Sequence, residues 1–149
     1  KDAYKNPDIV KLVSNRYDKY CLYVQNEVTN YIKQHYAVKT DLKYWTLGGF
    51  SNGGAFVYGF STDYPNNFGN SIVMSPGMYL GYDILNSNCK YFLCAGTEEY
   101  EGFMNGSLEY ISLMQENNIP FVHKKYKAGH EWKMWYSFYF DSIKTIYNN

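Results

Sequence analysis

A chain of 149 residues has the length of one domain, and with 46% hydrophobic and 20% aromatic residues it has ample material for a packed core, which excludes a disordered chain. Its 14 Lys and Arg balance its 14 Asp and Glu, so there is no electrostatic footprint for nucleic acid or an anionic membrane, and the expected partner is a small or neutral molecule. The cysteines, Cys21, Cys89 and Cys94, lack C-x-x-C spacing and suggest neither a disulfide framework nor a zinc site, and no run reaches the length of a membrane span.

The opening residues KDAYKNPD lack the character of a signal peptide, and the polar stretch 1–15, which contains Pro7, reads as a lead-in loop or short turn. The compartment stays open, with secretion slightly favoured. Over residues 17–35 the positions Tyr17, Tyr20, Cys21, Val24, Val28, Tyr31, Ile32 and His35 fall three or four apart, which predicts an amphipathic helix. Residues 43–47 then form an expected strand, buried on both faces because Tyr44, Trp45, Thr46 and Leu47 run without charge into Gly48 and Gly49. A helix follows from Asn52 to about Asp63, where Pro65 forbids its continuation. Short apolar strands are expected over 71–74 and 91–95, the first ended by Ser75-Pro76-Gly77 and the second by Gly96. Residues 102–118 read as a helix, 121–126 as a strand, and Trp132, Trp135, Tyr139, Ile143 and Ile146 as the stripe of a C-terminal helix. Strands alternating with helices predict an α/β domain with a parallel sheet covered on both faces, whose functional groups gather at the carboxyl ends of the strands.

At that edge Gly49-Phe50-Ser51-Asn52-Gly53 matches G-x-S-x-G between a strand and a helix, the sharp turn that exposes a nucleophilic serine. Glycines at 49 and 53 are expected to prevent collisions in so tight a turn, and the backbone N–H of Asn52 is placed to meet an oxyanion. Serine needs a base and a carboxylate to orient it, in the chain order Ser, acid, His. His35 falls on a helix face and His123 inside a strand, so His130, in the loop after the last strand, is the candidate base. The acid lies among Glu98, Glu99 and Glu101, all in one loop. No metal and no cofactor are called for.

The segments Gly49-Phe50-Ser51-Asn52-Gly53-Gly54, Ala95-Gly96-Thr97-Glu98-Glu99 and Gly129-His130-Glu131-Trp132, with Trp135 three residues on, resemble an esterase group of the α/β-hydrolases. That group includes feruloyl and acetyl-xylan esterases, enterochelin (siderophore) esterases and S-formylglutathione hydrolases. The resemblance runs from about residue 17 to the C-terminus. It implies a serine carboxylesterase with catalytic Ser51, Glu99 and His130, many relatives carrying Asp where this chain has Glu99. It also implies a small-molecule or carbohydrate ester as substrate, a feruloyl or acetyl ester of plant cell-wall carbohydrate being favoured over a siderophore or a thioester. Trp132 and Tyr79 are the candidate substrate contacts, with Tyr82 and Tyr100 nearby. An acyltransferase or a non-catalytic binding protein on the same fold are the rival classes. Complete members of the group have roughly twice this length, so the chain is expected to be the C-terminal part of the catalytic domain, with the first strands and the second oxyanion donor coming from an upstream segment or a companion chain.

Overall fold

The computed structural model describes residues 6–77 and 88–148, and the chain divides into two compact units, Lys1–Lys39 and Thr40–Asn149. The first unit is helical: α1 (Pro7–Leu22) passes through a π-helical stretch (Tyr23–Val28) into α2 (Thr29–His35). The loop expected over residues 1–15 is therefore corrected, because the helix begins at Pro7. Asn6, in extended conformation, accepts a hydrogen bond from the Asp8 N–H at 2.9 Å. Proline at the first helical position forgoes only an N–H that has no partner inside the helix.

The described residues of the second unit form a 3₁₀ turn (Leu42–Tyr44) and then β1 (Thr46–Phe50), α3 (Asn52–Asp63), β2 (Asn70–Met74), β3 (Lys90–Gly96), α4 (Glu101–Glu116), β4 (Phe121–Tyr126) and α5 (Trp132–Tyr147). The four strands form one parallel sheet in the order β1-β2-β3-β4. The first strand departs from expectation in two ways. It begins at Thr46 and runs through both glycines to Phe50, since residues 42–44 are taken up by the 3₁₀ turn that the Asp41 side chain caps through the Lys43 N–H at 3.1 Å. Nor is it buried on both faces: β1 is an edge of this sheet, and Gly48 is exposed.

Alternation along the central strands splits the core in two. Ile72, Met74, Phe92 and Cys94 meet Met134, Trp135 and Phe138 of α5 on one face. Val73, Tyr91 and Leu93 meet Val57 and Tyr58 of α3 and Tyr110 and Met114 of α4 on the other. Burial of each large side chain contributes about 1.5–3 kcal/mol, so both helix layers are held by the sheet they cover. In register, Phe50, Met74, Cys94 and Lys124 stand side by side, and the residues that leave β1, β2, β3 and β4 therefore emerge along one rim. Among the described residues no helix is long and apolar enough to cross a membrane.

The glycines around Ser51 are not equivalent. A Cβ on Gly49 would lie 2.3 Å from the carbonyl oxygen of Gly53, and one on Gly54 would lie 2.8 Å from that of Met74. A Cβ on Gly53 would meet nothing within 4 Å, so the collision expected at 53 does not exist. In urea unfolding, Gly49→Ala should lose about 1–3 kcal/mol or more through forced backbone displacement. Gly53→Ala, at a helical position with open space, should be neutral or gain about 0.4–1 kcal/mol. Equal losses at the two positions would refute this steric account.

Candidate active site

Ser51 joins β1 to α3 with φ 54° and ψ −126°, a conformation that L-residues avoid and that costs about 1–3 kcal/mol. Backbone bonds hold it there. Its N–H donates to the Met74 carbonyl at 2.9 Å, and its carbonyl accepts from the Ala55 N–H at 3.1 Å. The Ser51 side chain does not cap α3, so the first N–H groups of that helix, Asn52 leading, keep the positive end of the helix dipole open beside the hydroxyl. Among the described residues no hydrogen bond joins Ser51 to His130.

The structure does distinguish the three acids. Glu98 and Glu101 are exposed, whereas the Glu99 side chain is 0% exposed. The reason is local: the Thr97 N–H donates to the Tyr126 carbonyl at 2.8 Å and the Glu98 N–H to the Ala128 carbonyl at 3.0 Å, which binds the acid loop to the loop after β4 and turns Glu99 inward. Gly96 permits this approach, since a Cβ there would lie 2.2 Å from the Ala128 oxygen. Glu99 Oε1 accepts hydrogen bonds from the Ser75 hydroxyl at 2.5 Å and the Gly96 N–H at 3.2 Å. Its Oε2 faces His130 Nδ1 at 3.6 Å, and neither atom has another hydrogen-bond partner although both are buried. Two buried, unsatisfied atoms that face each other just beyond bonding distance gain by closing, because leaving them apart costs about 1–3 kcal/mol each.

His130 is clamped between rings. Phe103 stacks on it with centroids 4.1 Å apart, Trp135 meets it edge-on at 4.6 Å, and Trp135 in turn stacks on Phe50, the residue before Ser51, at 4.5 Å. The imidazole keeps 20% of its surface open. His35 lies in α2, exposed, with Nδ1 2.8 Å from the Tyr31 carbonyl oxygen. His123 is half-buried in β4, where burial and the nearby Lys125 hold its pKa below the usual histidine value. Neither of the buried thiols of the second unit is a rival nucleophile. Burial pushes Cys89 up to about 11, and burial followed by the Glu99 charge pushes Cys94 upward as well, so both stay protonated at neutral pH.

Trp132 is 67% exposed and sits edge-on to Phe50 at 4.3 Å, at the mouth of an open cleft of about 270 Å³ that Gly48, Phe50, Met74 and Tyr139 also line. Tyr100 is 79% exposed. Tyr79 and Tyr82 lie outside the described residues. Ser75 and the Phe103 ring are invisible to motif reading, and Trp135, although part of the resemblance, gains its contact only in the fold, where its indole N–H donates to the Ser75 oxygen at 2.9 Å. The Ser75-Pro76-Gly77 turn and the position of Trp135, five residues after His130, were the only signals available in the sequence.

No protein-family profile and no curated protein matches the chain. Solved structures do. A ferulic acid esterase from Anaeromyces mucronatus, solved in complex with ferulic acid, is 19% identical over 94% of this chain and 57% of its own, with a TM-score of 0.75. The enterochelin esterase from Shigella flexneri is 14% identical over 86% of this chain and 37% of its own, with a TM-score of 0.76. An S-formylglutathione hydrolase from Staphylococcus aureus is 13% identical over 87% of this chain and 65% of its own, with a TM-score of 0.68. The chain has the α/β-hydrolase fold that these structures share, and it spans between 37% and 65% of their lengths.

Proposed function

We propose that this protein is a serine carboxylesterase working through an acyl-enzyme. One observation carries the proposal: a serine in the left-handed region of backbone space at a strand-to-helix turn, on the same sheet rim as a buried carboxylate that faces an imidazole. Ser51 Oγ attacks the ester carbonyl while His130 Nε2, the ring nitrogen not turned to Glu99, takes its proton. The oxyanion is met by the Asn52 N–H, a donor whose loss typically costs about 10²–10³-fold in rate. The intermediate collapses, His130 returns the proton to the departing alcohol, and water repeats the cycle to free the acid. Glu99 keeps the imidazole in the useful tautomer and stabilises its charged form. The reaction draws on no metal or cofactor.

The proposed substrate is a feruloyl or acetyl ester of plant cell-wall carbohydrate. The likeness to the ferulic acid esterase and the exposed rings of Trp132 and Tyr100 near the rim support it, since such rings stack on sugars and phenolic acyl groups. The comparable likeness to the enterochelin esterase favours a siderophore ester as the second reading. We further propose that strands from an upstream segment or a companion chain add to the free edge of β1 and bring the second oxyanion donor. Among the described residues the sheet has four strands and nothing pairs with the outer edge of β1, and the chain spans only 57% of the ferulic acid esterase.

Labelling with a fluorophosphonate, which reacts only with an activated serine, tests the proposal. With the upstream segment or companion chain present, a single adduct on Ser51 is expected, together with hydrolysis of p-nitrophenyl acetate. Absence of an adduct would leave a non-catalytic protein on a hydrolase fold, and ester exchange onto an added alcohol in preference to water would make it a transferase.

A further inference from the structure

We infer that Ser75 is a positioning residue for the acid and base of this site, an inference that rests on the esterase reading above. Ser75 follows β2, on the rim between Ser51 and Glu99, and is fully buried with φ 45°. Glycine suits that backbone better than serine does. What serine adds is a hydroxyl, and the hydroxyl is fully committed. The Trp135 indole N–H can only donate, so at 2.9 Å the Ser75 oxygen must accept. The hydroxyl proton is then left for Glu99 Oε1, at 2.5 Å. With the Gly96 N–H on the same oxygen at 3.2 Å, Oε1 is saturated and the carboxylate plane is set. Oε2 is the one oxygen left to face His130 Nδ1.

The same turn supports the other side of the pair. Gly77, with φ 73°, lies so close to Phe103 that a Cβ there would come within 2.9 Å of its ring, and Phe103 stacks on His130. Trp135, whose N–H anchors Ser75, also meets the imidazole edge-on. One turn of three residues thus braces the acid by a hydrogen bond and the base by a ring.

The test combines kinetics with the imidazole NMR spectrum. Ser75→Ala should lower kcat for p-nitrophenyl acetate about 10²-fold, the scale of a small misplacement of a reacting group, with KM changed less than about twofold. Ser75→Gly, which fits the φ of 45° and so keeps the turn, should lose the same amount. In a Glu99→Gln background either change should cost less than about threefold further, because residues acting through one another are not additive. The His130 Nδ1 resonance should move in both Ser75 variants toward its position in Glu99→Gln. Unchanged kcat, equal losses in both backgrounds, or an unmoved imidazole resonance would overturn the inference. Should the wild-type protein hydrolyse no ester, the esterase reading falls by itself, and the imidazole spectra alone decide whether Ser75 sets the Glu99–His130 pair.

Discussion

If Ser51 is the nucleophile proposed above, Ser51→Ala should lower kcat/KM toward p-nitrophenyl acetate about 10⁴-fold or more, the loss expected when one member of a cooperating set is removed. The size of the effect follows from what is left. Without the hydroxyl no covalent intermediate forms, and the imidazole and helix N-terminus can do no more than polarise a bound ester against a water that nothing aligns. The same variant should be nearly silent in stability. Alanine meets the same strain as serine at φ 54°, and the hydroxyl does not cap α3, so the change should stay within about 0.5 kcal/mol in urea unfolding. Ser51→Gly offers a control in the opposite direction, since relief of the strained φ, about 1–3 kcal/mol, outweighs the extra freedom glycine gives the unfolded chain, about 0.5–1 kcal/mol, so stability should hold or rise while activity stays lost. Turnover that survives in either variant removes Ser51 from the role of nucleophile.

Much of the sheet could be read from residue order because its signals are local. The uncharged run at Tyr91, Phe92, Leu93 and Cys94 and the abrupt Gly96 describe a buried strand without help from the rest of the chain, and β3 (Lys90–Gly96) lies there. The helix after Ser51 ends at Asp63, as Pro65 demands. Where expectation failed, the deciding contact was distant or the residue type had two meanings. Pro7 marks a loop as readily as a helix start, and the choice fell to the Asn6 cap. Gly53 carries the same motif weight as Gly49, yet only Gly49 sits against backbone, because the crowding depends on how α3 returns over β1. Ser75 is the strongest instance. It meets Glu99 from 24 positions away and Trp135 from 60 positions away, and nothing in the local pattern Ser-Pro-Gly separates a hydroxyl that orients a carboxylate from one that ends a strand.

Glu99→Gln, against Glu98→Gln, is the second large effect and the one that depends most on geometry. Sequence leaves the adjacent glutamates nearly equivalent. The fold separates them, because the Glu98 N–H is bound to the Ala128 carbonyl while its side chain stays in solvent, and the Glu99 side chain is withdrawn completely. Glutamine is isosteric with glutamate, so Glu99→Gln keeps the volume and changes only the donor pattern. The Ser75 hydroxyl and the Gly96 N–H both donate to the position of Oε1, which pins the amide oxygen there and turns the NH₂ group toward His130 Nδ1. Two donors cannot face each other, so the imidazole must carry its proton on Nε2, where it can no longer accept the proton of Ser51. A wrong tautomer of this kind costs about 10⁴-fold in kcat in a triad enzyme, and a loss of about 10³–10⁴-fold is expected here, with KM little changed. Glu98→Gln should remain within about threefold in kcat and about 0.5 kcal/mol in stability, as for an exposed side chain. Steady-state kinetics on the two variants, read beside their urea midpoints, decides the matter. Losses in the reverse order would move the acid to position 98 and strip the Ser75–Glu99 bond of its part in orienting the base.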